Sequence, residues 1–163
     1  LGKYETEDQV AAAQYFGKLP YIDEDRMAIW GWSFGGFMAL NCLTYGNETF
    51  KAGISIAPVT DWRLYNTAYT ERFMSTPQEN DLGYEQSDLI TKAHLLKGKL
   101  LLCHGTADDN VHFQHAMLYC DALVEAGIQF EMQIYPNKNH SILGAKTRYH
   151  LYTRFNTFLK NNL

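Results

Sequence analysis

Apolar residues recur at helical spacing between Asp8 and Phe16 (Val10, Ala13, Tyr15 and Phe16), which predicts a helix there. Leu19-Pro20 and the acidic run Asp23-Glu24-Asp25 end that pattern. Residues 26–30 then read as a short buried strand, residues 31–36 as a glycine-rich turn and residues 37–45 as an apolar helix. The alternation continues with apolar runs that predict strands at 52–57, 99–103 and 130–135, and with helical spacing over 112–126 and 146–163. Strands that alternate with helices are joined by crossovers, so the expected fold class is α/β with a mostly parallel sheet flanked by helices.

Four strands make a thin sheet for this architecture, and the sequence opens on a helix. The expectation is that the fold begins before Leu1, with the sheet's first strands missing from residues 1–163. Residues 58–96 differ from the rest, carrying Trp62, Tyr65, Tyr69, Phe73 and Tyr84 among polar residues. They read either as an elaborated crossover that lines a pocket or as a helical excursion whose aromatics fill its own core.

Composition narrows the partners. The 14 basic and 18 acidic residues are spread along the chain and leave a net charge of −4, so no basic stripe points to nucleic acid. Cys42, Cys103 and Cys120 are odd in number and lack metal-type spacing, so they read as free and mostly buried thiols. Nothing in the sequence implies a cofactor or metal. Asn47-Glu48-Thr49 matches an N-glycosylation sequon, a pattern short enough to recur by chance. No apolar run approaches the roughly 18 residues of a membrane span.

The most informative segment is Gly31-Trp32-Ser33-Phe34-Gly35-Gly36, which sets a serine on a sharp turn between a buried strand and a helix. This is the pattern of a nucleophile elbow, found in the α/β-hydrolase fold. The turn forces the serine into a strained conformation, and the glycines two residues to either side are expected to remove Cβ atoms that would collide where strand meets helix. The backbone N–H of Phe34, at the helix N-terminus, points toward the position of a developing oxyanion.

A serine hydroxyl is a weak nucleophile and needs a base, which in turn needs a carboxylate to orient it. In this fold the acid and then the histidine follow later strands. After the third strand comes His104-Gly105-Thr106-Ala107-Asp108-Asp109-Asn110, where Asp108 is the favoured acid and Asp109 the substitute; both could instead only cap the next helix. After the fourth comes Pro136-Asn137-Lys138-Asn139-His140-Ser141, where His140 is the expected base. His94, His104, His112, His115 and His150 fall in helices, helix starts or a strand end, positions that suit surface or structural roles.

With Trp30-Gly31-Trp32-Ser33-Phe34-Gly35-Gly36, Tyr69-Thr70-Glu71-Arg72 and His104 through Phe113, nearly the whole chain resembles the dipeptidyl-peptidase branch of the prolyl oligopeptidase family. The resemblance implies the C-terminal part of an α/β-hydrolase catalytic domain, and a serine peptidase that releases N-terminal dipeptides after proline or alanine through an acyl-enzyme on Ser33. It also implies a proline pocket formed by Phe34, Val59, Trp62, Tyr65, Tyr69 and Val111, with Asn110 holding a substrate carbonyl. A rigid pyrrolidine ring suits such an aromatic box.

Family members further imply an upstream β-propeller whose acidic residues grip the substrate's amine, an upstream tyrosine that completes the oxyanion hole, and a homo-oligomer. They also imply a periplasmic, cell-surface or secreted parent. Phe34 departs from the tyrosine usual after the nucleophile, losing a ring hydroxyl but keeping the backbone donor. An acylaminoacyl peptidase or esterase of the same fold remains open, because a triad does not choose its acyl group, as does a non-catalytic assembly module.

Overall fold

A computed structural model describes residues 1–46 and 48–163. Asn47 of the sequon lies outside the described residues. Strands β1 (Ala28–Trp32), β2 (Ala52–Ile56), β3 (Lys99–Gly105) and β4 (Glu131–Tyr135) form one sheet in chain order, each pair parallel. Trp32 lies opposite Ile56, Ile56 opposite Cys103, and Gly105 opposite Tyr135. The carboxyl ends are therefore aligned, and the loops after β1, β3 and β4 leave the sheet along one edge.

The strands sit where the apolar runs predict, with shifts that have local causes. β1 starts at Ala28 because Glu24–Arg26 is taken up in a 3-10 turn, whose N-cap Asp23 accepts from the Asp25 N–H at 3.1 Å. It runs on through Gly31 and Trp32, which the sequence reading gave to the turn. β3 likewise continues through His104 and Gly105.

Every residue of β2 is buried, as expected for a strand covered on both faces. β3 shows the two-residue period directly: Leu100 and Leu102 pack with residues of α5 (Gln114–Glu125), while Leu101 and Cys103 pack with Leu151, Phe155 and Phe158 of α6 (Ala145–Asn162).

Helix α2 (Phe34–Tyr45) is buried almost throughout, because it lies between the sheet and α1 (Lys3–Gly17). α1 starts earlier than the apolar spacing predicts, its first turn being mostly polar. Its Val10 and Ala13 pack on the core as the spacing implies, but Tyr15 and Phe16 point outward, 66% and 54% exposed, and touch each other edge to face.

The excursion between β2 and β3 contains α3 (Thr67–Met74) and α4 (Asp81–Ser87). Its aromatics divide between the two readings. Tyr84 is a core residue whose hydroxyl donates to the Ser75 carbonyl at 2.8 Å, whereas Trp62, Tyr65 and Tyr69 assemble into the box described below. All three cysteines are buried free thiols, and burial pushes Cys42 and Cys103 up to about 12. Among the described residues no helix is long and apolar enough to cross a membrane.

Candidate active site

Ser33 links the sheet to α2 through its own backbone. Its N–H donates to the Ile56 carbonyl of β2 at 2.8 Å, and its carbonyl accepts from the Phe37 N–H of α2 at 3.0 Å. Being both the last rung of the ladder and the first acceptor of the helix holds Ser33 at φ 60°, ψ −118°, outside the regions an L-residue prefers.

Glycines make the turn possible, though not quite the pair that the sequence suggests. A Cβ on Gly31 would lie 2.0 Å from the Gly35 carbonyl oxygen, and one on Gly36 would lie 2.7 Å from the Ile56 carbonyl oxygen. A Cβ on Gly35 would meet nothing within 4 Å. Gly31 and Gly36 are thus the positions where close approach excludes a side chain, and Gly35 is not.

Asp108 follows β3 and is 6% exposed. Its Oδ1 accepts from the backbone N–H groups of Asn110 and Val111, both at 3.0 Å, so the carboxylate caps its own turn. Its Oδ2 lies 2.8 Å from His140 Nδ1. The carboxylate that meets His140 is therefore that of Asp108, while Asp109 is exposed.

Burial alone would raise the Asp108 carboxyl. Hydrogen bonds from His104, His140 and the Asn110 N–H outweigh it and hold the group well below the usual carboxylate range. An ionised Asp108 fixes the His140 proton on Nδ1 and leaves Nε2 free to accept one.

His104 is a contact that sequence reasoning missed. It is fully buried, with Nε2 3.1 Å from Asp108 Oδ2 and 2.9 Å from the Val111 carbonyl. Two acceptors face that nitrogen, so it carries the proton. Four apolar residues precede it in β3, which makes burial legible; the partner four residues on, across a turn, is not.

His112 and His94 are exposed, and His150 meets the Tyr135 hydroxyl at 3.0 Å. His115 is buried, with Nδ1 accepting from the Thr60 N–H at 3.1 Å, and burial pushes it down to about 4.

An aromatic box stands beside Ser33. Trp62 sits in a 3-10 turn after Asp61, and Tyr69 is on α3, whose N-cap Asn66 accepts from the Tyr69 N–H at 2.9 Å. The Trp62 and Tyr69 rings stack at 5.8 Å and 16°, and Tyr65 packs edge-on to both, at 5.9 and 5.5 Å. Phe34 meets Trp62 at 6.1 Å, and Val59 and Val111 are buried in the same cluster. The Tyr65 hydroxyl donates to Asn110 Oδ1 at 2.6 Å, which leaves the Asn110 amide N–H groups as its outward donors. The residues assigned to substrate binding from the sequence thus fall in one cluster next to the elbow, with Asn110 tied to it through Tyr65.

A four-stranded parallel sheet flanked by helices, with its serine elbow and two later loops along one edge, defines the C-terminal portion of an α/β-hydrolase fold. The model of the prolyl oligopeptidase family matches residues 1–163, and the chain belongs to that family.

Among curated proteins it is 45% identical to a probable dipeptidyl-aminopeptidase B of Aspergillus oryzae, over 99% of this chain and 18% of that protein. It is 44% identical to dipeptidyl peptidase 4 of Felis catus, over 98% of this chain and 21% of that protein. The crystal structure of Porphyromonas gingivalis dipeptidyl peptidase 4 superposes with a TM-score of 0.97 at 57% identity, covering all of this chain and 23% of that one. The chain thus spans about a fifth of the length of the relatives it matches.

Proposed function

We propose that the protein carrying this chain is a serine dipeptidyl peptidase that releases N-terminal X-Pro and X-Ala dipeptides from peptides through an acyl-enzyme on Ser33. The observation that carries this reading is the Asp108–His140 pair at 2.8 Å on the same sheet edge as the Ser33 elbow, with the aromatic box alongside. His140 Nε2 takes the Ser33 proton as Oγ attacks the scissile carbonyl, and Asp108 holds the imidazole and stabilises the imidazolium. The Phe34 N–H, without an intrahelical partner at the start of α2, donates to the oxyanion. The proton returns from His140 to the leaving amine, and water then repeats the sequence on the ester.

In the box, Trp62, Tyr65 and Tyr69 take up the flat proline ring by area, and Asn110 donates to a substrate carbonyl. Groups that bind the free amine and a second oxyanion donor belong, on this reading, to the upstream β-propeller and tyrosine of the parent protein. Residues 1–163 alone are then expected to be weak, since one oxyanion donor is worth about 10²- to 10³-fold in rate. The parent is expected to be a homo-oligomer.

The test is hydrolysis of Gly-Pro and Gly-Ala anilides by the full-length protein, with fluorophosphonate labelling mapped to Ser33. Dipeptide release that is lost in Ser33→Ala supports the proposal. Release only of acylated amino acids or simple esters would favour an acylaminoacyl peptidase or esterase instead, and no label on Ser33 in an active preparation would rule out this nucleophile.

A further inference from the structure

The loop that carries His140 is held by its backbone as well as by Asp108. It runs from β4 to α6 and contains three residues in left-handed conformations: Asn137 at φ 56°, Ile142 at φ 47° and Gly144 at φ 121°. Glycine adopts this freely, whereas a β-branched residue does so only under strain. Ile142 is fully buried against the α6 face of the sheet, so the strain persists only because its surroundings enforce it.

Three successive carbonyls in this loop are satisfied by two side chains. Trp32 Nε1–H donates to the His140 carbonyl at 2.8 Å. Arg148, in the first turn of α6, donates from Nη2 to the Ser141 carbonyl at 2.6 Å and from Nε to the Ile142 carbonyl at 3.3 Å. The Arg148 guanidinium lies over the Trp32 ring at 4.8 Å, so each donor holds the other in place. Trp32 is the last residue of β1 and immediately precedes Ser33.

We propose that Trp32 and Arg148 are positioning residues that fix the backbone of His140 relative to Ser33. Asp108 sets the tilt and tautomer of the imidazole, and the Trp32–Arg148 pair sets where the imidazole is anchored. The reference for that anchor is the residue beside the nucleophile, so base and nucleophile share one frame. Displacement of a reacting group by about 1 Å costs on the order of 10²-fold in rate, which is the scale at which such an anchor acts.

The inference rests on the proposed role of Ser33 and His140, and its test separates the two. In the full-length protein, Trp32→Phe keeps a ring for Arg148 but removes the donor, Arg148→Met keeps the stem but removes the guanidinium, and Arg148→Lys keeps the charge. The expected result on Gly-Pro anilide is a fall in kcat of roughly 10- to 100-fold for Trp32→Phe and Arg148→Met, with KM within about threefold and fluorophosphonate labelling of Ser33 slowed in parallel. Arg148→Lys should recover part of the loss. The double variant should be little worse than the poorer single one, since both act on one anchor.

Unchanged kcat in the folded single variants would overturn the proposal, as would a change confined to KM or fully additive losses. If Trp32→Phe fails to fold, the comparison of Arg148→Met with Arg148→Lys decides alone, by the same split between kcat and KM. Ser33→Ala serves as the reference. Activity retained there refutes the nucleophile itself, whereas activity lost there but kept in the Trp32 and Arg148 variants refutes only the anchor.

Discussion

His104 Nε2 stands 3.1 Å from Asp108 Oδ2, so the carboxylate oxygen that meets His140 is shared with a second, fully buried histidine. Asp108 is thereby held from every side: two backbone N–H groups on one oxygen and two imidazoles on the other. Replacing His104 by Phe would remove one donor to Asp108 and leave the Val111 carbonyl without its imidazole partner. The expected loss is about 1 to 3 kcal/mol of stability together with a lower kcat, read from thermal unfolding and from initial rates. Asp108→Asn should be far more severe for catalysis, on the order of 10⁴-fold in kcat, because the amide favours the wrong tautomer of His140.

The elbow glycines are expected to respond unequally. Gly31→Ala puts a methyl 2.0 Å from the Gly35 carbonyl oxygen and should prevent the turn from closing, giving little soluble protein and no labelling of Ser33. Gly35→Ala places its methyl in open space and should fold and label at close to the native rate. Equal tolerance of alanine at the two sites would contradict the backbone approach described here.

Tyr65→Phe removes the hydroxyl that holds Asn110 Oδ1 at 2.6 Å and frees the amide to turn. Since Asn110 is proposed to contact bound peptide away from the reacting atoms, the effect should fall mainly on KM, with a rise of roughly 3- to 10-fold for Gly-Pro anilide. Steady-state kinetics on the variant give the answer directly.

His115 links acid pH to stability. Burial keeps it neutral in the folded state until about pH 4, whereas its ordinary value is 6.5. Between these values the unfolded chain binds a proton that the folded chain refuses, so stability rises with pH across the window and is lost as pH falls from about 6.5 to 4. The contribution is on the order of 3 kcal/mol at most. His115→Gln retains an acceptor for the Thr60 N–H and should flatten this part of the profile, measured by hydrogen exchange at Thr60 between pH 7 and 4.

Much of this arrangement is legible in the residue order, and the reasons are local. β2 and β3 announce themselves because strands covered on both faces must be continuously apolar, and the serine elbow because few sequences besides a strand-turn-helix place glycines so densely around one serine. Asp108 and His140 follow from the order of loops after strands. The exposure of Tyr15 and Phe16 was not legible, since their spacing suits a buried face and only the position of α2 shows that Val10 and Ala13 already fill it. The contacts of His104, Trp32 and Arg148 were hidden for a different reason. Trp32 and the carbonyl it binds are 108 residues apart, and no periodicity encodes a bond between an indole and a distant carbonyl.

That separation also bears on synthesis. Strand order equals chain order in this sheet, so each strand can dock on its predecessor as the chain leaves the ribosome. Ser33 emerges with β1, but His140, its proposed base, arrives 108 residues after Trp32, about 5 to 20 s later at ordinary translation rates. On the proposed reading, the nascent chain would carry Ser33 through that interval without a group to deprotonate it, and hydrolytic competence would wait for the loop that follows β4.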